Sequence, residues 1–393
     1  MDVQKKSKAS AQASLKQSHQ QYKTIALVLQ GGGALGAYQG GVYEALVEAG
    51  MQPNWVAGIS IGALNAAIIA GNPPEQRVER LREFWQTITR PPLLPMWPTP
   101  PLDPAAWELP WQNGLSGLAA LRALTEGQPG FFTPRPFPLM PWRASPTTAS
   151  WYDTAPLKTT LERLVDFDRI NHKTSMRVSV GAVNIRTGNF AYFDNTQGNL
   201  RVEHFMASGA LPPGFPAIEV DGEFYWDGGM VSNTPLYQVL SDASCRDSLI
   251  FQVDLWSARG ELPRDLAEVT TRAKDIQYSS RTRLITEYMA NRQRQQRVLH
   301  DLMALVPEQQ RHHHAYRQAE IYASGALINL FHLIYRNKPY EGHYKDYEFS
   351  ADSMRQHWNS GRDDMQSTLD QPEWFEKPSA EHPFVTHDVH SDD

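Results

Sequence analysis

One cysteine, Cys245, among 393 residues has no partner for an internal disulfide. No Cys/His cluster has zinc-ligand spacing, so neither covalent staples nor a structural metal is indicated, and a reducing compartment fits. Basic excess is also missing. Lys+Arg 37 against Asp+Glu 43 gives a net charge of −6 and a pI near 6.1, which argues against a nucleic-acid partner. No stretch approaches the roughly 18 consecutive apolar residues that a membrane-spanning helix requires. Residues 1–23 set Lys5, Lys6, Lys8 and Lys16 among Ser, Ala and Gln, without the apolar centre of a secretory signal. They read as a disordered N-terminal tail, and a cytoplasmic protein is expected. What remains is ordinary globular usage, 41% hydrophobic and 20% charged, which excludes a fibrous or largely disordered chain. The length allows two or three domains, or one large α/β domain with appendages.

Order is expected from Thr24, where Thr24-Ile-Ala-Leu-Val-Leu29 is a short β-favouring run followed by glycines. A helix follows from Ala34 to Ala49, closed by Gly50. Trp55-Val-Ala-Gly-Ile59 reads as a second strand and Gly62 to Gly71 as a small-residue helix. Strand, helix, strand, helix implies a parallel sheet. Residues 91–150 interrupt it as a Pro/Trp-rich insertion: 13 of the 28 prolines fall in 91–141, with Trp97, Trp107, Trp111 and Trp142 in or beside them. Within it, leucines at 115, 118, 121 and 124 share one face of a short helix. The α/β pattern resumes with a Pro156-started helix to about Val165, a strand over 176–183 and a helix near 200–208. Asp221-Gly222 between 217–220 and 223–226 is a two-residue hairpin signal, and Leu249-Ile-Phe-Gln-Val253 is a further buried strand. Residues 24–255 are therefore the expected core. Polar helical patterns over 263–305 and 315–335 predict a helical C-terminal extension over 256–375, and 376–393 reads as a loose acidic tail.

Gly31-Gly-Gly33-Ala-Leu-Gly36 follows a strand and opens a helix, so its N–H groups can face a negative charge. A dinucleotide site would need an Asp or Glu at the end of the second strand, and that strand ends in Ile59-Ser60. The same N–H groups can instead form an oxyanion hole. Gly58-Ile-Ser60-Ile-Gly62, at a strand-to-helix junction, has the form of a nucleophile elbow; its blander reading is a tight turn. Only 59 residues precede Ser60, room for a single earlier strand, so the common α/β-hydrolase order is excluded. Asp227-Gly-Gly229 follows the second hairpin strand. A carboxylate held there can accept the Ser60 proton, or can simply make the turn.

These blocks resemble the patatin-like phospholipases. The resemblance rests on the glycine loop Gly31-Gly-Gly33-Ala-Leu-Gly36, the elbow around Ser60, the stretch Ala207-Ser-Gly-Ala-Leu-Pro-Pro-Gly-Phe-Pro216, and Asp227-Gly-Gly229. It covers about residues 24–255, and Asp346-Tyr-Glu-Phe-Ser350 resembles the C-terminal region of a bacterial subgroup. It implies a three-layer α/β/α sandwich with a mostly parallel central sheet. By the same resemblance Ser60 is the nucleophile, Asp227 the base, and Gly31, Gly32 and Gly33 the oxyanion hole, with Gly58, Gly62, Gly228 and Gly229 supporting the turns. No cofactor and no metal is implied. The family's glycine loop usually carries Arg or Lys where this chain has Leu35; backbone donors survive that change.

The expected activity is serine lipid acyl hydrolysis of the phospholipase A or lysophospholipase type, through a Ser–Asp dyad and an acyl-enzyme. The alternatives are a non-catalytic lipid-binding module and an esterase acting on hydroxyacyl esters. The Pro/Trp-rich insertion reads most simply as a rigid cover over the core; in a lipid enzyme it is expected as a lid or acyl channel, with peripheral contact to a membrane surface, since Trp favours the boundary of water and lipid. The stretch 271–300 holds seven Lys/Arg against two Asp/Glu. It reads as a solvated helix face, with Arg272, Lys274, Arg281 and Arg283 as the residues that would meet anionic lipid. His312, His313 and His314 are adjacent and diverge around a helix, so they do not form a metal site.

Overall fold

The computed structural model describes residues 21–90, 110–136, 145–172, 176–241, 246–338 and 341–390. Residues 1–20 of the expected tail, Cys245, Trp97, Trp107, Trp142 and most of the proline-rich stretch lie outside them. The strands are β1 (Thr24–Leu29), β2 (Trp55–Gly58), β3 (Thr133–Pro134), β4 (Tyr152–Asp153), β5 (Arg177–Asn184), β6 (Phe190–Asp194), β7 (Ile218–Val220), β8 (Glu223–Asp227), β9 (Ser248–Asp254), β10 (Ile328–Ile334) and β11 (Phe384–Asp388). The helices are α1 (Ala37–Glu48), α2 (Ile61–Ala70), α3 (Arg77–Thr87), α4 (Pro110–Glu126), α5 (Ala155–Leu164), α6 (Phe167–Asn171), α7 (Val202–Ser208), α8 (Leu236–Ser241), α9 (Leu266–Ala304), α10 (His314–Tyr322) and α11 (Ala351–Leu369).

Strand β1 lies inside the sheet because it is apolar on both faces. Ile25, Leu27 and Leu29 enter one core, Ala26 and Val28 the other, as a parallel sheet covered on both sides demands. The main sheet runs β11-β10-β9-β1-β2-β5-β8-β7, with β6 on β5. Every pairing from β11 to β5 is parallel, and only β6, β7 and β8 join antiparallel. Helices α1, α2 and α11 cover the first face, while α8 and the middle of α9 cover the second. This is the expected three-layer α/β/α sandwich. The β7–β8 hairpin turns at Asp221 (φ 51°) and Gly222 (φ 84°), the left-handed pair that a two-residue turn needs.

Three expectations change. The second polar helical pattern, 315–335, is helical only as α10; its latter half is strand β10, paired in register with β9 from Ile328 opposite Ser248 to Ile334 opposite Asp254. A short apolar run has no periodicity that separates strand from helix, and here a free sheet edge decides. The loose acidic tail is instead an ordered strand over part of its length, because Phe384-Val-Thr-His-Asp388 pairs with β10 and Lys377 bonds Asp247. The C-terminal third is thus partly sheet rather than a helical appendage. Finally, order begins before Thr24: Tyr22 is buried, and its hydroxyl donates to the Glu376 carbonyl at 3.2 Å.

Removing residues 376–393 should therefore destabilise the whole chain. With Phe384 buried against β10, the loss is expected on the order of 3 kcal/mol, read as a lower denaturant midpoint. An unchanged midpoint would mean that β11 adds nothing.

Candidate active site

Strand β5 brings two distant segments together. Its first half pairs with β2, which ends with Gly58 opposite Val180; its second half pairs with β8, which ends with Asp227 opposite Ala182. Strand β2 runs parallel to β5 and β8 antiparallel, so their C-terminal ends meet head to head. Two residues of β5, about 6.6 Å, separate those ends, and both chains turn out of the sheet there.

The chain leaving β2 turns at Ser60 with φ 55° and ψ −125°, the strained geometry that projects a nucleophile. The flanking glycines are required by contact. A Cβ on Gly58 would lie 2.3 Å from the Gly62 carbonyl oxygen, and one on Gly62 2.4 Å from that of Leu29. Ser60 N–H donates to Ser208 Oγ at 3.0 Å, and Ser208 Oγ donates to the Gly181 carbonyl of β5 at 2.7 Å. The strained turn is thereby tied to the strand that carries it.

The glycine loop lies beside this turn. Gly31 N–H donates to the Asn233 carbonyl at 3.2 Å. The Gly31 carbonyl accepts from Asn233 Nδ2 at 3.0 Å and Trp256 Nε1 at 2.8 Å. Gly31 is therefore an anchor, a change from its expected place among the oxyanion donors. Gly32 and Gly33 are half-buried, and their N–H groups have no acceptor among the described residues. Gly33 needs its φ of +56°, and a Cβ there would strike the Asp346 carbonyl oxygen at 2.0 Å. That same carbonyl accepts from Ala34 N–H at 2.8 Å. Asp346 is held in turn by Lys274 Nζ at 2.8 and 3.0 Å, and Lys274 also reaches the His343 carbonyl at 3.0 Å.

Asp227 ends β8 in a fully buried position. Burial pushes its carboxyl up from 3.8 to about 6, against the opposing effects of hydrogen bonds from the Ser60 side chain and the Gly229 N–H. The Gly229 bond is 2.7 Å long, made as Gly228 and Gly229 open a 3₁₀ turn. The structure thus brings Ser60, Asp227 and the free N–H groups of Gly32 and Gly33 to one place. Such a group can exchange a proton between hydroxyl and carboxylate beside two fixed donors.

Comparison with known proteins bears on what this place is. The family model for patatin-like phospholipase matches residues 27–240, more than half of the chain, and a second, for patatin phospholipase, matches 276–381. The chain belongs to the patatin-like phospholipase family. Patatin-like phospholipase domain-containing protein 6 of Homo sapiens and of Mus musculus is 45% identical over 67 residues, 17% of this chain and 5% of theirs. A patatin-like phospholipase domain-containing protein of Caenorhabditis elegans is 41% identical over 61 residues, 16% and 6%. The chain matches only about one-twentieth of the length of these relatives. Among solved structures, VipD from Legionella pneumophila gives a TM-score of 0.37 at 14% identity, over 89% of this chain and 67% of that one. Human GIVD cytosolic phospholipase A2 gives 0.40 at 11%, over 93% and 63%.

In this patatin-like phospholipase the position of the family's basic loop residue is filled by Leu35, which is fully buried in the main core. Lys274 and Arg272, considered above as lipid contacts, are turned inward. Lys274 holds Asp346, and Arg272 reaches the carbonyls of Ser257 and Ala258. Three site residues escaped the sequence reading in their roles: Ser208, Asn233 and Asp346. Ser208 and Asp346 lie in stretches singled out by resemblance, whereas nothing local marks Asn233.

Asp227 supplies a stability test. Its folded value of about 6 lies above the unfolded 3.8, so burying the ionised form costs about 3 kcal/mol at about 1.4 kcal/mol per unit. That cost is present in full above pH 6, shrinks as pH falls toward 3.8, and is gone below it. Asp227→Asn should be more stable than the wild type to urea at pH 8 and about equal at pH 4. A variant no more stable at pH 8 would remove the desolvation account.

Proposed function

We propose that this chain is a serine lipid acyl hydrolase that cleaves acyl esters of the phospholipid or lysophospholipid class, with Ser60 as nucleophile and Asp227 as its base. Membership of the patatin-like phospholipase family supports lipid hydrolysis as the reaction. The observation that carries the residue roles is the meeting of Ser60 and Asp227 on one edge of β5, beside the unoccupied N–H donors of Gly32 and Gly33.

In the proposed cycle Ser60 Oγ attacks the ester carbonyl carbon as its proton passes to Asp227. The oxyanion accepts hydrogen bonds from Gly32 and Gly33. Collapse expels the alcohol, which takes the proton back from Asp227 and leaves an acyl-serine. Water then attacks the acyl carbon, giving its proton to Asp227. Collapse restores Ser60 and releases the fatty acid. Raised toward neutrality by burial, Asp227 is a stronger base than an exposed carboxylate while still ionised at pH 7. An apolar substrate suits the surroundings: Leu211 and Met230 are exposed next to the segments that bracket Asp227, and α4 exposes Leu118, Leu121 and Leu124. Tyr152, whose hydroxyl bonds the Leu124 carbonyl, packs on Phe215 of the stretch that carries Leu211. This face is the proposed contact with a lipid surface.

Fatty-acid release from a panel of phospholipids, lysophospholipids and short p-nitrophenyl esters tests the proposal. Ser60→Ala and Asp227→Asn should each lose about 10⁴-fold or more in turnover while staying folded, and fluorophosphonate labelling should vanish with Ser60→Ala. Full turnover by Asp227→Asn would sink the assignment of the base. The acid limb of the pH–rate profile should fall to half near pH 6. Leu118→Asp with Leu121→Asp should lower cosedimentation with liposomes and hydrolysis of vesicles, with little effect on a soluble short-chain ester.

A further inference from the structure

Asn233 stands between the two reacting side chains, and the proposed cycle gives it no role. It is 8% exposed, and its backbone carbonyl and its Nδ2 both bond Gly31, at 3.2 and 3.0 Å. The second bond fixes the amide. A carbonyl oxygen can only accept, so Nδ2 must face Gly31 and Oδ1 is the atom presented to the site. Two glycines locate that oxygen. A Cβ on Gly31 would lie 2.4 Å from Asn233 Oδ1 and 3.0 Å from Ser60 Cβ, and one on Gly229 would lie 2.9 Å from Asn233 Oδ1 and 3.1 Å from Asp227 Oδ1. The oxygen thus has the serine turn on one side and the Asp227 carboxyl group on the other. The glycines themselves direct only Cα–H groups at it, which are weak donors. No N–H or O–H among the described residues bonds it, and it is not sealed from solvent.

Before reaction the Ser60 side chain gives its hydrogen bond to Asp227. Once Ser60 is acylated its oxygen carries no hydrogen, and Asp227 and Asn233 Oδ1 become two acceptors beside one acyl carbon, with no donor between them. A water molecule brings two O–H bonds to that place, and an alcohol brings one. We propose that Asn233 Oδ1 is the second acceptor for the hydrolytic water, and that it makes the acyl-enzyme choose water over alcohols. The inference rests on the Ser60–Asp227 reading given above and adds to it the selection of the acyl acceptor.

In that step the water oxygen bonds the acyl carbon as one of its protons passes to Asp227. The other O–H stays bonded to Asn233 Oδ1, which holds the attacking lone pair toward the carbon. When collapse breaks the bond to Ser60 Oγ, the proton on Asp227 returns to Oγ, and the remaining O–H leaves with the fatty acid. An alcohol can make the same attack, because its single proton suffices for Asp227. It then leaves Asn233 Oδ1 desolvated and unpaired, a penalty of roughly tenfold to a hundredfold in rate. Sites built to bond a particular hydrogen reject the analogue that lacks it in this way.

Turnover of a short p-nitrophenyl ester by the full chain in buffer containing methanol tests this, because the ratio of methyl ester to free acid reports which acceptor was chosen. Asn233→Leu should raise that ratio about tenfold or more over the wild type. Trp256→Phe removes the other side-chain donor to the Gly31 carbonyl. It should slow the release of p-nitrophenol yet keep the wild-type ratio, since the Asn233 acceptor is intact. Only molecules that turn over set the ratio, so a smaller folded fraction does not move it, and Asn233→Ala carries the same expectation should the leucine variant not fold. With acyl-Ser60 recovered by mass after an acid quench, a wild-type ratio in Asn233→Leu, or an equal rise in Trp256→Phe, would overturn the inference and leave the Ser60–Asp227 reading standing. Absence of that adduct from the wild type, with turnover retained by Ser60→Ala, would overturn both.

Discussion

The pairing of β5 on a single edge is the constraint on which the rest depends. A strand ordinarily gives each edge to one neighbour, but here the edge is divided between β2, which ends at Val180, and β8, which ends at Ala182. Because one neighbour is parallel and the other antiparallel, both reach the division with their C-terminal ends. Ser60 and Asp227, 167 positions apart in the chain, thereby become neighbours through backbone hydrogen bonding alone. The hairpin that carries β8 is short, and its left-handed Asp221-Gly222 turn sets the register of β8 against β7. A slip of one residue would point Asp227 to the other face of the sheet.

Holding the site in place falls to parts of the chain far from it. Gln30, just before the glycine loop, donates to Thr234 Oγ1 at 2.9 Å and accepts from the N–H groups of Leu255 and Trp256 at 2.6 and 3.1 Å. The loop is thus fixed to the end of β9 on one side and to Asn233 on the other. Its third side is the Asp346 carbonyl, delivered by the C-terminal region and steadied by the adjacent Lys345, whose buried ammonium bonds Asp275 and Asn337 at 2.6 Å each. Both Asp275 and Lys274 belong to α9. The C-terminal third, which supplies two strands of the sheet, is therefore also a wall of the site.

Much of this was legible in the residues, for identifiable reasons. Strand β1, the elbow and the hairpin turn announce themselves because glycine and apolar runs act locally: the φ of Gly222 and the crowding at Gly58 and Gly62 are properties of a few consecutive residues. What stayed hidden is non-local. Ile328-Asn-Leu-Phe-His-Leu-Ile334 becomes a strand because β9 offers it an edge, and Phe384–Asp388 because β10 then offers another. Likewise Asn233 bonds Gly31 across 202 positions, and Gly31 looks like its neighbours in sequence while its N–H is already committed.

The site concentrates two unfavourable features, a left-handed serine and a buried carboxyl group whose ionised form is offset, among the described residues, by hydrogen bonds from Ser60 and Gly229. Either alone is a cost of a few kcal/mol, and relaxation of either would separate the hydroxyl from its acceptor. What prevents relaxation is the placement of every brace on a sheet strand or on a segment bonded to one. Ser208 links the serine turn to β5, the Gly229 N–H fixes the carboxylate at the end of β8, and Trp256 with Asn233 fixes the loop beside β9. A sheet buried on both faces is the part of this fold least able to yield, so the left-handed turn at Ser60 and the buried carboxyl of Asp227 are both held where β2 and β8 end on β5.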